Sequence, residues 1–217
     1  LRAHATEALH HLSVTLHGPQ GPDRKGDALR SAWHKSQALE GELTVDPGLL
    51  QELLAERAPR VWPRLKQNDS PNEMSRLRYD CVVFLDQQEG DDAPADAVVL
   101  TDVHLPTIEA QLRTGPDLAF MLPMLGNQRL SLERRAWKAL HGDTTDLSHA
   151  LDPGELMALG HELGRECASM WLSVNTGESA EPGVFALAFG PKGAPAHRAA
   201  LALPDLPAGF NRPANKS

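Results

Sequence analysis

Residues 77–86 read LRYDCVVFLD, and the choice between helix and strand there governs what the rest of the chain must supply. The run Cys81-Val82-Val83-Phe84-Leu85 is rich in β-branched and aromatic side chains. Polar segments bound it, PNEMSR (71–76) before and QEGDDAPADA (88–97) after. Short length, β-branching and polar boundaries predict a strand. A second run, VWPRLK (61–66), lies just upstream of the same polar connection, so an antiparallel hairpin with a long loop is the simplest pairing. Side chains alternate along a strand, which puts Leu77, Tyr79, Cys81 and Val83 on one face and Arg76, Arg78 and Asp80 on the other. Tyr79, the single tyrosine of the chain, is expected to turn its ring inward and hold its hydroxyl at the mouth of the strand. Cys81 is expected in a buried strand.

Toward the amino terminus, Ala3, Ala8, Leu9, Leu12 and Leu16 recur at roughly helical spacing until GPQGPDRKG (18–26) breaks the pattern. Asp27 is placed to cap a second helix through about Gln37. Asp46-Pro47 starts a third, LLQELLAERA (49–58), which stops before Pro59. Beyond the hairpin, VVLTDVHL (98–105) reads as a short strand and Pro106 to Arg113 as a helix. After the apolar AFMLPML (119–125), SLERRAWKALHG (131–142) reads as a helix that Ser131 can cap. DPGELMALGHELGREC (152–167) then reads as a helix with Cys167 at its end, followed by strands SMWLSV (169–174) and GVFALAF (183–189). Helices mixed with strands in this way predict an α/β protein. Residues 1–90 are expected to form helices plus a terminal strand hairpin, and 91–217 a small α+β subdomain with a tail rich in Pro and Ala.

Composition narrows the function classes. Lys plus Arg is 21 against 29 for Asp plus Glu, a formal charge of -8, which gives no electrostatic reason to bind nucleic acid or an anionic membrane. No apolar stretch approaches the roughly 20 residues of a membrane span, and LRAHATEALHHLS lacks the apolar core of a signal peptide. The two cysteines form no CxxC pair, so neither a disulfide framework nor a zinc site is expected, and the cytosol is the default compartment. His4, His10, His11 and His17 lack the spacing that stacks two ligands on adjacent turns, and no metal site is expected. There is no GxGxxG after a strand, no GxxxxGK[ST], no HExxH and no GxSxG.

Four stretches resemble one family in order. Asn72-Glu73-Met74-Ser75-Arg76-Leu77-Arg78-Tyr79-Asp80-Cys81-Val82-Val83 resembles the NELSxYRYxxVV core motif of the S-adenosylmethionine-dependent methyltransferase domains embedded in adenylation domains of nonribosomal peptide synthetases, with Met74 and Leu77 as departures. QALEGELTVDPGLL (37–50) is similar to the ELxxDPxFF run of those domains, MLGNQRLSLERRAW (124–137) to VPNxRLxxD, and DPGELMALGHELG (152–164) to DPExLWxLAxxLG. FNRPAN (210–215) faintly resembles the point where such insertions rejoin the adenylation fold, and Ala186 stands where the family often has aspartate. The resemblance covers only the later half of such a domain. It implies the carboxyl-terminal half of a class I methyltransferase-like sheet, with its last strands as a hairpin and flanking helices. The earlier half holds the glycine-rich strand-turn-helix that receives the cofactor, so S-adenosylmethionine is expected for a complete domain and not for these residues alone.

The resemblance also implies a substrate, an aminoacyl or peptidyl thioester tethered to a carrier protein by phosphopantetheine, and a partner supplying the amino-terminal half or an adjacent adenylation domain. Ligands of open α/β sheets sit outside the carboxyl ends of the parallel strands. With VWPRLK as the last parallel strand, Asn72 and Glu73 fall at that rim. Glu73 is the expected base and Tyr79 its catalytic neighbour. Asn72 and Ser75 are expected to hold substrate, and Arg76 and Arg78 to steer the pantetheine phosphate. Without the family, Asn-Glu reads as a turn, and Arg76, Arg78 and Asp80 as a solvated strand face with weak ion pairs. His104, beside Asp102 at a strand end, is placed where a general base can sit. Three functions stay open: the methyltransferase portion, a methyltransferase-like epimerase of the kind embedded in siderophore synthetases, and a non-catalytic docking module. An unpaired edge of VWPRLK is expected to seek a partner.

Overall fold

The computed structural model describes residues 5–19, 21, 23–39, 50, 53–54, 60–66, 77–84, 97–142, 150–172 and 183–193. In chain order these form α1 (Ala5–His17), α2 (Gly26–Leu39), β1 (Arg60–Leu65), β2 (Tyr79–Phe84), β3 (Val98–Val99), α3 (Leu105–Thr114) and β4 (Phe120–Asn127). A 3-10 turn (Gln128–Leu130) leads into α4 (Ser131–His141), then β5 (Ala150–Leu151), α5 (Pro153–Glu162), β6 (Arg165–Leu172) and β7 (Val184–Lys192). The protein is mixed α/β. Of the expected third helix only residues 50, 53 and 54 are described, and they are helical. The connection 67–76 and the tail from 194 lie outside the described residues.

Val184 to Gly190 is buried at every position, and a strand buried on both faces belongs in the middle of a sheet. β7 accordingly lies between β4 and β6 and is antiparallel to both, in the order β3-β4-β7-β6. β3 and β5 both pair parallel with β4, at its start (Val98 with Phe120) and at its end (Leu151 with Asn127). Phe120 and Gly126 also pair with β7, so β3 and β5 share the opposite edge of β4. Pro123 has no N–H for the ladder, and the pairing of β4 with β7 shifts between Leu122 and Leu125.

The two sheet faces bury different things. Phe120, Leu122, Leu125, Cys167, Trp171, Phe185, Leu187 and Phe189 pack with Ile108 and Leu112 of α3, Leu156 and Met157 of α5, and Leu9 of α1. Ala168, Met170, Leu172, Val184, Ala186 and Ala188 pack on the other face under Trp62, Val82 and Phe84 of the β1–β2 hairpin. Small side chains at 168, 186 and 188 make room for the indole. Ala186 is fully buried there. A third cluster joins Ala8, Leu12 and Leu16 of α1 to Leu29 and Trp33 of α2 and Leu140 of α4.

α5 approaches the sheet closely because Gly160 faces it. A methyl at that position would overlap the Cys167 sulfur and the Phe189 ring. Gly160→Ala is therefore expected to lower stability by about 1–3 kcal/mol through overpacking, although alanine is the better helix former by about 1 kcal/mol. Urea unfolding with an unchanged midpoint would mean that α5 can move outward at no cost.

Several expectations are corrected. β1 pairs antiparallel with β2, as the sequence predicts, but this is a separate two-stranded ladder rather than the end of a parallel sheet. The larger sheet is built by residues 98–192, and β6–β7 is the hairpin that ends it. β1 pairs only with β2 among the described residues, which leaves its other edge without a ladder partner, and it packs over β6 through Trp62, whose indole N–H donates to the Ser169 carbonyl at 2.8 Å. Cys81 is exposed. Val82 is the cross-strand partner of buried Trp62, so Val82 and Phe84 face inward and Cys81, one residue out of step, faces out. Cys167 lies in β6 and not at a helix end, because Gly164, at φ +71, stops α5 and restarts the chain as a strand. Ser131 is the first helical residue of α4 rather than its cap, and its hydroxyl donates to Gln128 O at 2.6 Å.

Candidate functional site

β3 and β5 both run parallel to β4, but β3 ends beside Met121 and β5 beside Asn127, so only β4 and β5 end together. The backbone N–H of His104 donates to Asp102 Oδ1 at 3.0 Å, a local turn that carries the chain from β3 into α3. His104 is the N-cap residue of α3 with no side-chain capping bond, Pro106 lies in the first turn, and the imidazole is exposed. The extended N-cap conformation and the proline's fixed φ together set where the helix begins.

At the end of β4 the Asn127 side chain accepts the Arg129 N–H at 3.0 Å, which shapes the 3-10 turn and aims Arg129 across to β5. There the guanidinium grips Asp152 in a fork, Nε to Oδ2 at 3.0 Å and Nη2 to Oδ1 at 2.9 Å. Asp152 is also the N-cap of α5, accepting from Gly154 N at 2.6 Å. The MLGNQRL and DPGEL stretches are thus tied together by one ion pair. Such forked, charge-assisted pairs fix geometry as well as adding energy.

Burial pushes the Asp152 carboxyl up, but the Arg129 hydrogen bonds, the Gly154 N–H and the Arg129 charge outweigh it and hold the group below its usual range. A carboxylate whose folded pKa is depressed contributes stability that is complete above its unfolded value, near 4, and is lost as pH falls through the lowered one. Asp152→Asn keeps a capping side chain and removes the charge. Its stability deficit in urea titrations is expected to shrink toward zero as pH drops below about 4. A deficit independent of pH would mean that the charge adds nothing.

Of the six site residues expected from sequence, Asn72, Glu73, Ser75 and Arg76 lie outside the described residues. Arg78 and Tyr79 enter β2 half-buried, with Tyr79 opposite Leu65 and packed against the main core. Asp80 meets Arg64 at 3.4 Å and Lys66 at 3.6 Å, all three well exposed. This is the weakly paired strand face the alternation suggests. Among the described residues no group of three or more His, Cys, Asp or Glu is arranged to hold a metal ion, and no helix is long and apolar enough to cross a membrane.

One polar feature escaped the sequence. Glu133 of α4 is fully buried and receives the Ser13 hydroxyl at 2.8 Å, with His17 Nε2 3.0 Å from the same oxygen; Arg134 and Lys138 are buried on the same helix. The available signal was the charged ERR of SLERRAWKALH, which reads as a solvent face until α1 is seen to cover it.

The two thiols differ sharply. Burial pushes Cys167 up to about 12, helped by the Glu166 charge and opposed by Arg165. Cys81 is raised too by partial desolvation, but it is exposed. The thiolate is the reactive form, so one thiol per chain is expected to react with a maleimide under native conditions, at Cys81, and the second only after unfolding. Two native equivalents would contradict the packing of β6 under α5.

No family model matches the chain, and no curated protein matches it.

Proposed function

We propose that this chain is the carboxyl-terminal portion of a methyltransferase-type domain of a nonribosomal peptide synthetase, acting on an aminoacyl or peptidyl thioester tethered to a carrier protein. The observation that carries the reading is the strand order β3-β4-β7-β6, in which β3, β4 and β6 run in one direction and β7 is wedged antiparallel between β4 and β6. That order suits the end of an open methyltransferase-like sheet closed by a hairpin. The Arg129–Asp152 link between two stretches that resemble the family is consistent with it.

S-adenosylmethionine is the cofactor a complete domain of this kind uses, and the described residues do not fit it. Of the segments leaving the strands that run in the direction of β4, 100–104, 128–130 and 152 contain no glycine that would let the backbone wrap a ligand, and the one leaving β6 lies outside the described residues. Methyl transfer would therefore require the amino-terminal half.

His104 favours a second reading, a methyltransferase-like epimerase, which needs only proton transfer. In it a base removes the Cα proton of the tethered aminoacyl thioester. The electron pair is held as the thioester enolate, and a proton returns from the opposite face. His104 and Glu73 are the proposed bases, with Tyr79 as the neighbouring acid. Asn72, Ser75, Arg76 and Arg78 are assigned to holding substrate and pantetheine phosphate.

One experiment separates the readings. An aminoacyl carrier protein is incubated with the chain in deuterated water, with and without S-adenosylmethionine, and its mass is followed. Gain of one deuteron without cofactor, abolished in His104→Ala or Glu73→Gln, supports the epimerase. Cofactor-dependent gain of a methyl group supports the methyltransferase portion and overturns the conclusion about the missing half. No change, with carrier binding retained, would leave a docking module and sink both catalytic readings.

A further inference from the structure

We draw no further inference here: the strongest candidate, the exposed apolar edge that Val98 and Val99 present on β3, carries nothing because nothing in the structure shows what covers it.

Discussion

Arg165→Met is expected to destabilise the protein by about 3–5 kcal/mol, because hydrogen bonds from a charged group contribute roughly 1.5–3 kcal/mol each and several are lost together. Arg165 is only 2% exposed, and its guanidinium is spent on the backbone rather than on an acid. Nη1 donates to Leu118 O at 2.9 Å and Gly190 O at 3.0 Å, while Nη2 donates to Leu112 O at 2.7 Å and to Gly115 O. The group also lies 5.1 Å from the centre of the Phe120 ring. Leu112 lies in the last turn of α3, where carbonyls have no partner within the helix and a positive charge is favoured. A methionine fills the space of the stem and takes a donor from four carbonyls; Gly115 O keeps the Leu118 N–H, and an acceptor left with no donor costs on the order of 1–3 kcal/mol if water cannot reach it. Arg165→Lys should recover part of the loss, since an ammonium keeps the charge but cannot fork. Urea unfolding of the three proteins decides the matter. A methionine variant within about 1 kcal/mol of the parent would mean that water satisfies those carbonyls.

Trp62→Ala is expected to cost about 3–5 kcal/mol and to loosen the β1–β2 hairpin selectively. The indole is buried against Ala168, Met170, Ala186 and Ala188, stacks on Phe84 with ring centres 6.5 Å apart, and donates to Ser169 O. Truncation opens a void over the sheet and removes that donor. Trp62→Phe keeps most of the apolar contact and loses the hydrogen bond, so a smaller loss of about 1–3 kcal/mol is expected. Amide hydrogen exchange should quicken at residues 60–65 and 79–84 well before β7 is affected. Uniform loss of protection across both sheets would instead make the hairpin part of one cooperative unit with the larger sheet. Arg78 and Tyr79 ride on this hairpin, so any activity that uses them should fall further in Trp62→Ala than in a core variant of equal stability.

Much of the local structure was legible in the residues. The unbroken apolar GVFALAF reads as a strand, Asp152-Pro153 reads as a helix start, and the pairing of VWPRLK with LRYDCVVFL follows from their polar boundaries. What escaped depends on partners distant in sequence. Whether Cys81 or Val82 faces inward is decided by the docking of Trp62 on β6, and no alternation within β2 contains that information. Arg165 becomes a core residue only because β6 passes the carbonyl-rich end of α3. Glu133 is buried only because α1 lies over α4. The candidate site divides the same way: His104 and Asp102 were visible at a strand end, whereas the Arg129–Asp152 grip between two helix starts was not.

The central place of β7 bears on how the chain is made. During synthesis β4 and β6 emerge before β7, and each is left with an edge that only β7 satisfies. A nascent chain reaching residue 183 has its helices but no complete larger sheet, and it carries two unprotected strand edges of the kind that associate with other chains. Closure waits for a segment from late in the sequence, which makes this sheet slow to assemble relative to its helices. A truncation before residue 184 should therefore be recovered bound to chaperones or aggregated, even though every residue of α1 to α5 is present.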